Sequence, residues 1–190
     1  MSPKIDRRIK YTKMVLKDSL MQLLKAKPIS SITVKELCEL ADINRSTFYT
    51  HYSDQFDLLT QIEEEIIQDM TETLIKYDYH QDEETLQMTE KIIEYVAVNS
   101  DICRTLFSEH GDPGFKKRVM KVAHDFTVKS WMSTYSIEDP ELFEYVSWFA
   151  VSGSIHVLES WLNNGLDKSP REMAEIITLL STKGLSSLRK

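Results

Sequence analysis

The chain has 190 residues, 42% of them hydrophobic and 28% charged, with a net charge of −7. Two cysteines, Cys38 and Cys103, exclude a disulfide framework, and no apolar run reaches the ~18 residues of a membrane span. No N-terminal apolar stretch has the form of a signal peptide, so a soluble, cytoplasmic protein of one or two units is expected.

The acidic total conceals an asymmetry. Residues 1–53 hold ten Lys and Arg against five Asp and Glu, a net +5, which leaves −12 for the remainder. A basic head on an acidic body suits one end that meets DNA and a body that DNA repels.

The periodicity predicts helices throughout and no lasting strand pattern. A first helix is expected over about Asp6–Ala26, with Ile9, Leu16, Leu20 and Leu23 on one face, ending before Lys27-Pro28. Thr33-Val34-Lys35-Glu36 is a capping-box sequence that starts a second helix. Val34, Leu37, Cys38 and Ala41 form its apolar face, and Asp42 tolerates the turn that follows. Asn44 caps a third helix over about Arg45–Tyr52. A fourth is expected from Gln55 to Tyr77, with Leu58, Ile62, Ile66 and Met70 as its stripe.

After a polar link at residues 78–84, five more helices are expected over 83–99, 100–109, 113–134, 140–163 and 170–189. Asp112-Pro113 and Asp139-Pro140 each place a cap before proline at the first helical position. Ser169-Pro170-Arg171-Glu172 adds a capping-box glutamate, and Gly165 stands where a helix C-terminus wants glycine.

Residues 32–59 hold the chemistry. A short helix, a turn of about four residues and a second short helix with a polar face make a helix-turn-helix. In such motifs the second helix enters the major groove while the first crosses the backbone. Arg45 suits a bidentate bond to guanine, Thr47 offers a hydroxyl and a methyl, and Ser46, Tyr49 and His51 reach bases or phosphates.

This block resembles the DNA-binding domain of the TetR/AcrR family of bacterial regulators. Thr33, Val34, Ala41, Ile43, Ser46, Thr47, Phe48, Tyr49, Tyr52 and Leu58-Leu59 match its pattern. The resemblance implies that Thr33 and Lys35 lie at the DNA backbone, that Arg45 and Thr47 face bases, and that Tyr49 and His51 hold phosphates. Phe48 and Tyr52 would pack the small core. Two positions depart from the family: Asp42 replaces the usual turn glycine, and Gln55 replaces a lysine that opens the fourth helix. The N–H groups at that helix start remain available to phosphate.

The implied fold is all-α, with nine helices: an N-terminal DNA-binding domain (1–54) and a helical effector-binding and dimerisation domain (55–190). Ser152 to Leu180 resembles the last two helices of a TetR subgroup common in low-GC Gram-positive bacteria. There those helices form a four-helix bundle with a partner subunit. Ile155, Leu158, Leu162, Met173, Ile176, Ile177 and Leu180 supply wide apolar stripes for a homodimer.

The resemblance also implies a pocket for a small-molecule effector, whose identity no charge pattern names. Its candidate lining is Met88, Phe107, Met120, His124, Phe126, Trp131, Tyr145, Trp148, Phe149 and His156. The expected function is a repressor that binds a palindromic operator in double-stranded DNA. A TetR-fold activator or coactivator working through a protein partner is the alternative. An enzyme is disfavoured: the five histidines are scattered, and no Gly-rich phosphate loop or nucleophile elbow is present. His80 to Glu84 reads as a solvated link rather than a metal site, and neither a metal nor a cofactor is expected.

Overall fold

The computed structural model describes residues 3–76, 82–134 and 139–186. Among these, nine α-helices and one short 3-10 turn account for all regular structure. The helices are α1 (Pro3–Leu24), α2 (Val34–Ala41), α3 (Arg45–Tyr49), α4 (Gln55–Ile75), α5 (Asp82–Val98), α6 (Ser100–Leu106), α7 (Pro113–Thr134), α8 (Pro140–Asn163) and α9 (Pro170–Ser186). The number and order follow the sequence expectation. Tyr77 and His80 lie outside the described residues, as do residues 187–189 of the expected last helix. No described helix is long and apolar enough to cross a membrane.

The start signals act as their chemistry requires. Asp139 accepts from the N–H groups of Glu141 and Leu142, and Asp112 from that of Gly114. Ser169 and Glu172 bond reciprocally at the head of α9. At the end of α8 Gly165 takes a φ of 79°, and Leu166 N–H returns to Trp161 O at 3.0 Å.

Several helices end before their expected C-termini, α1, α3 and α6 by two or three residues. α1 stops at Leu24, because Ala26 and Lys27 both bond to Leu23 O as the chain tightens towards Pro28. α3 stops at Tyr49 because Thr50 N–H bonds three residues back, to Thr47 O. α6 ends at Leu106, and Gly111 comes so close that a Cβ there would stand 2.2 Å from Leu106 O. Only glycine fits that approach.

The chain divides into two compact units. One comprises the residues up to Ile66 together with Thr105–Phe115; the other comprises Ile67–Arg104 and Lys116 onward. The first unit closes on Leu16, Leu20, Leu24, Ile32, Leu37, Phe48, Leu58 and Ile62, all buried. Each such side chain contributes roughly 1.5–3 kcal/mol by leaving water. His110 Nδ1 lies 3.0 Å from Leu24 O, where the end of α1 leaves a carbonyl without a helical partner. The second unit packs α5 and α8 against α9 and buries Ile93, Val96, Val151, Ile155, Trp161, Leu162, Met173 and Ala174.

Candidate nucleic-acid interface

α2 and α3 pack against each other, joined by the three residues Asp42 to Asn44. Each end is held locally. Glu36 N–H donates to Thr33 Oγ1 at 3.2 Å, and Thr33 N–H donates to Glu36 Oε2 at 3.0 Å, completing the capping box. Asp42 adopts the left-handed conformation (φ 51°, ψ 43°), and Ile43 N–H closes the turn on Cys38 O at 3.0 Å. Asn44 Oδ1 accepts from Ser46 N–H at 3.0 Å and caps α3.

These devices aim a helix of five residues. Its Phe48 is fully buried, and Tyr52 just beyond it is buried too. Phe48 meets the ring of Tyr49 edge-on at 5.5 Å and that of Tyr52 at 5.6 Å. Arg45, Ser46 and Tyr49 are exposed, the last at 58%. Thr47 and His51 are half-buried. On α2, Lys35 is exposed and stands 3.9 Å from Glu39, too loose a pair to commit its charge. Arg7, Arg8, Lys10 and Lys13 are exposed on α1, so the first unit carries its cations outward.

Gln55, half-buried, opens α4, and that helix start differs from the expectation. Asp57 N–H donates to Asp54 Oδ1 at 2.8 Å, and Asp57 Oδ2 takes the N–H of Ser53 at 2.8 Å. The Ser53 N–H, with help from Gln61, holds the Asp57 carboxyl below its ordinary range. Two carboxylates therefore occupy N–H groups at this end and oppose a phosphate there. An acid at the cap and another three residues on was the available signal.

The candidate effector residues scatter. Met88, Met120 and Phe126 are half-buried, and Trp131 is buried with its ring 6.3 Å from Phe143. Phe107 belongs to the first unit, against Phe115 at 5.4 Å. Tyr145 and Phe149 are exposed at 74% and 82%, and His156 is exposed with Nδ1 2.8 Å from Ser152 O.

His124 and Trp148 do meet, their rings stacked at 3.9 Å. Ser147 Oγ donates to Glu144 O, which leaves it to accept from His124 Nε2–H at 2.8 Å. Trp148 Nε1 donates to Glu144 Oε1 at 2.8 Å. Glu144 and Ser147 were missed in the sequence, although Glu144 stands four residues before Trp148 and three before Ser147, the spacings of helix neighbours.

The expected dimer residues also divide. Ile155, Leu162 and Met173 are buried in the core of the second unit. Leu158, Ile176 and Ile177 are half-buried, and Leu180 is exposed. α8 and α9 pack against each other within the second unit. Burial pushes the Cys103 thiol up to about 11, which suits a core residue and no nucleophile.

An all-helical body and a capped helix-turn-helix with an outward polar face define a helix-turn-helix regulator as the class of protein. Residues 83–183 match the TetR family model for the transcriptional regulator C-terminal region. The chain belongs to the TetR family of transcriptional regulators. It is 36% identical over 78 residues to the uncharacterized HTH-type transcriptional regulator YxbF of Bacillus subtilis (strain 168). That match covers 40% of this chain and 20% of the curated relative, so the chain aligns with about a fifth of that protein's length.

Among solved structures, a TetR transcriptional regulator from Streptococcus agalactiae 2603V superposes with a TM-score of 0.69 at 23% identity, over 93% of this chain and 96% of that one. The transcriptional regulator FadR from Bacillus subtilis, in complex with stearoyl-CoA, gives 0.61 at 13% identity, over 88% and 96%. Both likenesses are of fold.

Proposed function

We propose that the chain is a repressor that reads a palindromic operator in double-stranded DNA as a homodimer and lets go when a small-molecule effector binds. The carrying observation is the division of labour on α3. Phe48 is spent on the core, while Arg45, Ser46 and Tyr49 of the same helix are exposed.

In this reading α2 crosses the DNA backbone with Thr33 and Lys35. Arg45 and Thr47 meet base edges, Ser46 assists them, and Tyr49 and His51 reach phosphates. Gln55 would offer a phosphate only a neutral amide, against the opposing charges of Asp54 and Asp57. The head (1–54) supplies recognition and the body (55–190) supplies pairing, because two recognition helices about 34–36 Å apart read successive major grooves. The FadR complex supports the idea that a helical body of this fold takes an organic effector. Effector binding would favour dimers whose heads are wrongly spaced, a population shift between two states. A cytoplasmic location belongs to the same reading.

The test is selection of bound fragments from a genomic or random DNA library, followed by anisotropy on the best site at two salt concentrations. An enriched palindrome, with affinity falling on the order of a thousandfold between 50 and 200 mM salt, is the expected result. A folded protein that enriches no sequence overturns direct operator reading and points to a protein partner.

A further inference from the structure

The last carbonyl of α1 is orphaned by the sequence. In a continuing helix Leu24 O would take the N–H four residues on, but that residue is Pro28, which has none. The N–H groups of Ala26 and Lys27 both turn to Leu23 O instead, at 3.0 and 3.2 Å. Leu24 is 0% exposed, so water does not reach the oxygen either.

The missing donor comes from 86 residues away. His110 Nδ1 stands 3.0 Å from Leu24 O, and because a carbonyl only accepts, this nitrogen carries the proton and donates. The loop that presents the ring is itself fastened. Ser108 Oγ donates to Thr105 O at 2.7 Å and accepts from His110 N–H at 3.3 Å, and Gly111 N–H donates to Ser108 O at 3.1 Å. Leu106 and Phe115, on either side, are buried in the same compact unit as α1, α2 and α3.

What this bond holds is the entry to the recognition motif. Beyond Leu24 the chain passes Pro28 and a 3-10 turn (Ile29–Ser31) directly into Thr33, the cap of α2. Lys27 in that connection pairs with Glu36 at 2.6 Å, and Glu36 closes the capping box on Thr33. α2 also packs on α1. The end of α1, the turn and the head of α2 thus form one run of bonds, anchored at its start by His110.

We propose that His110 is a positioning residue for operator binding: its bond to Leu24 O sets the α1–α2 turn, and with it the placement of Thr33 and Lys35 on the DNA backbone, while the ring touches neither base nor phosphate. This deepens the operator reading above and rests on it. A hydrogen bond to a phosphate spans about 2.7–3.2 Å, so a displacement of about 1 Å at the head of α2 loses it.

Three variants of the full chain separate positioning from support. His110→Leu removes the donor, His110→Asn puts an amide N–H where Nδ1–H stood, and His110→Gln puts one where Nε2 stood, away from Leu24 O. Hydrogen exchange at Ser31 and Ile32, whose N–H groups close the 3-10 turn, should quicken about tenfold in the Leu and Gln variants and return towards wild type in Asn. Affinity for the selected operator, by anisotropy, should fall about tenfold in the same two and recover in Asn. Binding to a scrambled duplex should change little, because the exposed cations Arg7, Arg8, Lys10 and Lys13 are untouched. Circular dichroism checks folding; should His110→Leu not fold, the Gln and Asn variants decide. Unaltered exchange in the turn overturns the proposal. Faster exchange with undiminished operator affinity makes His110 a helix cap alone and overturns it as well, leaving the operator reading intact. A wild type that enriches no operator overturns that reading and this role together.

Discussion

Lys27 Nζ lies 2.6 Å from Glu36 Oε1, while Oε2 of the same carboxylate holds the N–H and hydroxyl of Thr33. One side chain thus joins the segment after α1 to the first turn of α2. The Lys27 bond is the largest cause, and the Thr33 bonds the next, of a Glu36 carboxyl held at about 2 instead of 4.5.

Folding therefore favours ionised Glu36. Its contribution is complete above the ordinary value of 4.5 and disappears as pH falls through about 2. Urea midpoints of wild type and Glu36→Gln should differ at neutral pH and converge across that window. A gap that stays constant down to pH 2 counts against the pairing. Thr33→Ala, which removes the cap itself, should cost about 1 kcal/mol at neutral pH.

Phe48 and Tyr49 are adjacent and should behave oppositely. Phe48→Ala empties a fully buried site and should cost about 3–5 kcal/mol of stability. Tyr49→Ala removes an exposed ring, should change stability by less than about 1 kcal/mol, and should abolish specific binding to the selected operator. Thr47→Ala should do the same to specificity. Denaturation and anisotropy on the same samples separate the two effects, and operator binding at wild-type strength by Tyr49→Ala would remove α3 from the groove.

Gln55→Lys should restore a cation at the start of α4. Operator affinity should rise at low salt, and the slope of log K against log salt should steepen by about 0.9, the value of one phosphate contact. An unchanged slope means that Asp54 and Asp57 keep this helix end away from DNA.

Arg104 donates from Nε and Nη2 to Leu162 O, at 3.2 and 2.9 Å, and so covers a carbonyl at the end of α8. Arg104→Met keeps much of the length and loses both bonds, at a cost of about 1–2 kcal/mol. Hydrogen exchange at Asn164 and Leu166, whose N–H groups close this helix end, should quicken; exchange unaltered there would show that the helix end does not depend on the guanidinium.

The signals that were legible are local ones. Thr33 with Glu36, Asn44 with Ser46, Asp139 with Glu141 and Ser169 with Glu172 each join partners at most three residues apart. The left-handed Asp42 and Gly165 belong to the same group. A bond across one turn is formed by any chain with those residues at that spacing, whatever surrounds it. The helix-turn-helix was readable for this reason, and with it the family.

Long-range partners left no such mark. Arg104 reaches Leu162 across 58 residues, and His110 reaches Leu24 across 86. α8 is the clearest instance. Its apolar residues ring much of the helix, so periodicity shows a buried stripe without showing which. Tyr145 and Phe149, expected in a pocket, are exposed, while Ile155 and Leu162, expected at a partner, are buried in the core of the second unit. Apolar burial has no direction of its own and rewards any stripe that leaves water. The amino-acid order alone settled the helices, their caps and the recognition motif; only the packing of α8 against its neighbours decided which face was left outside.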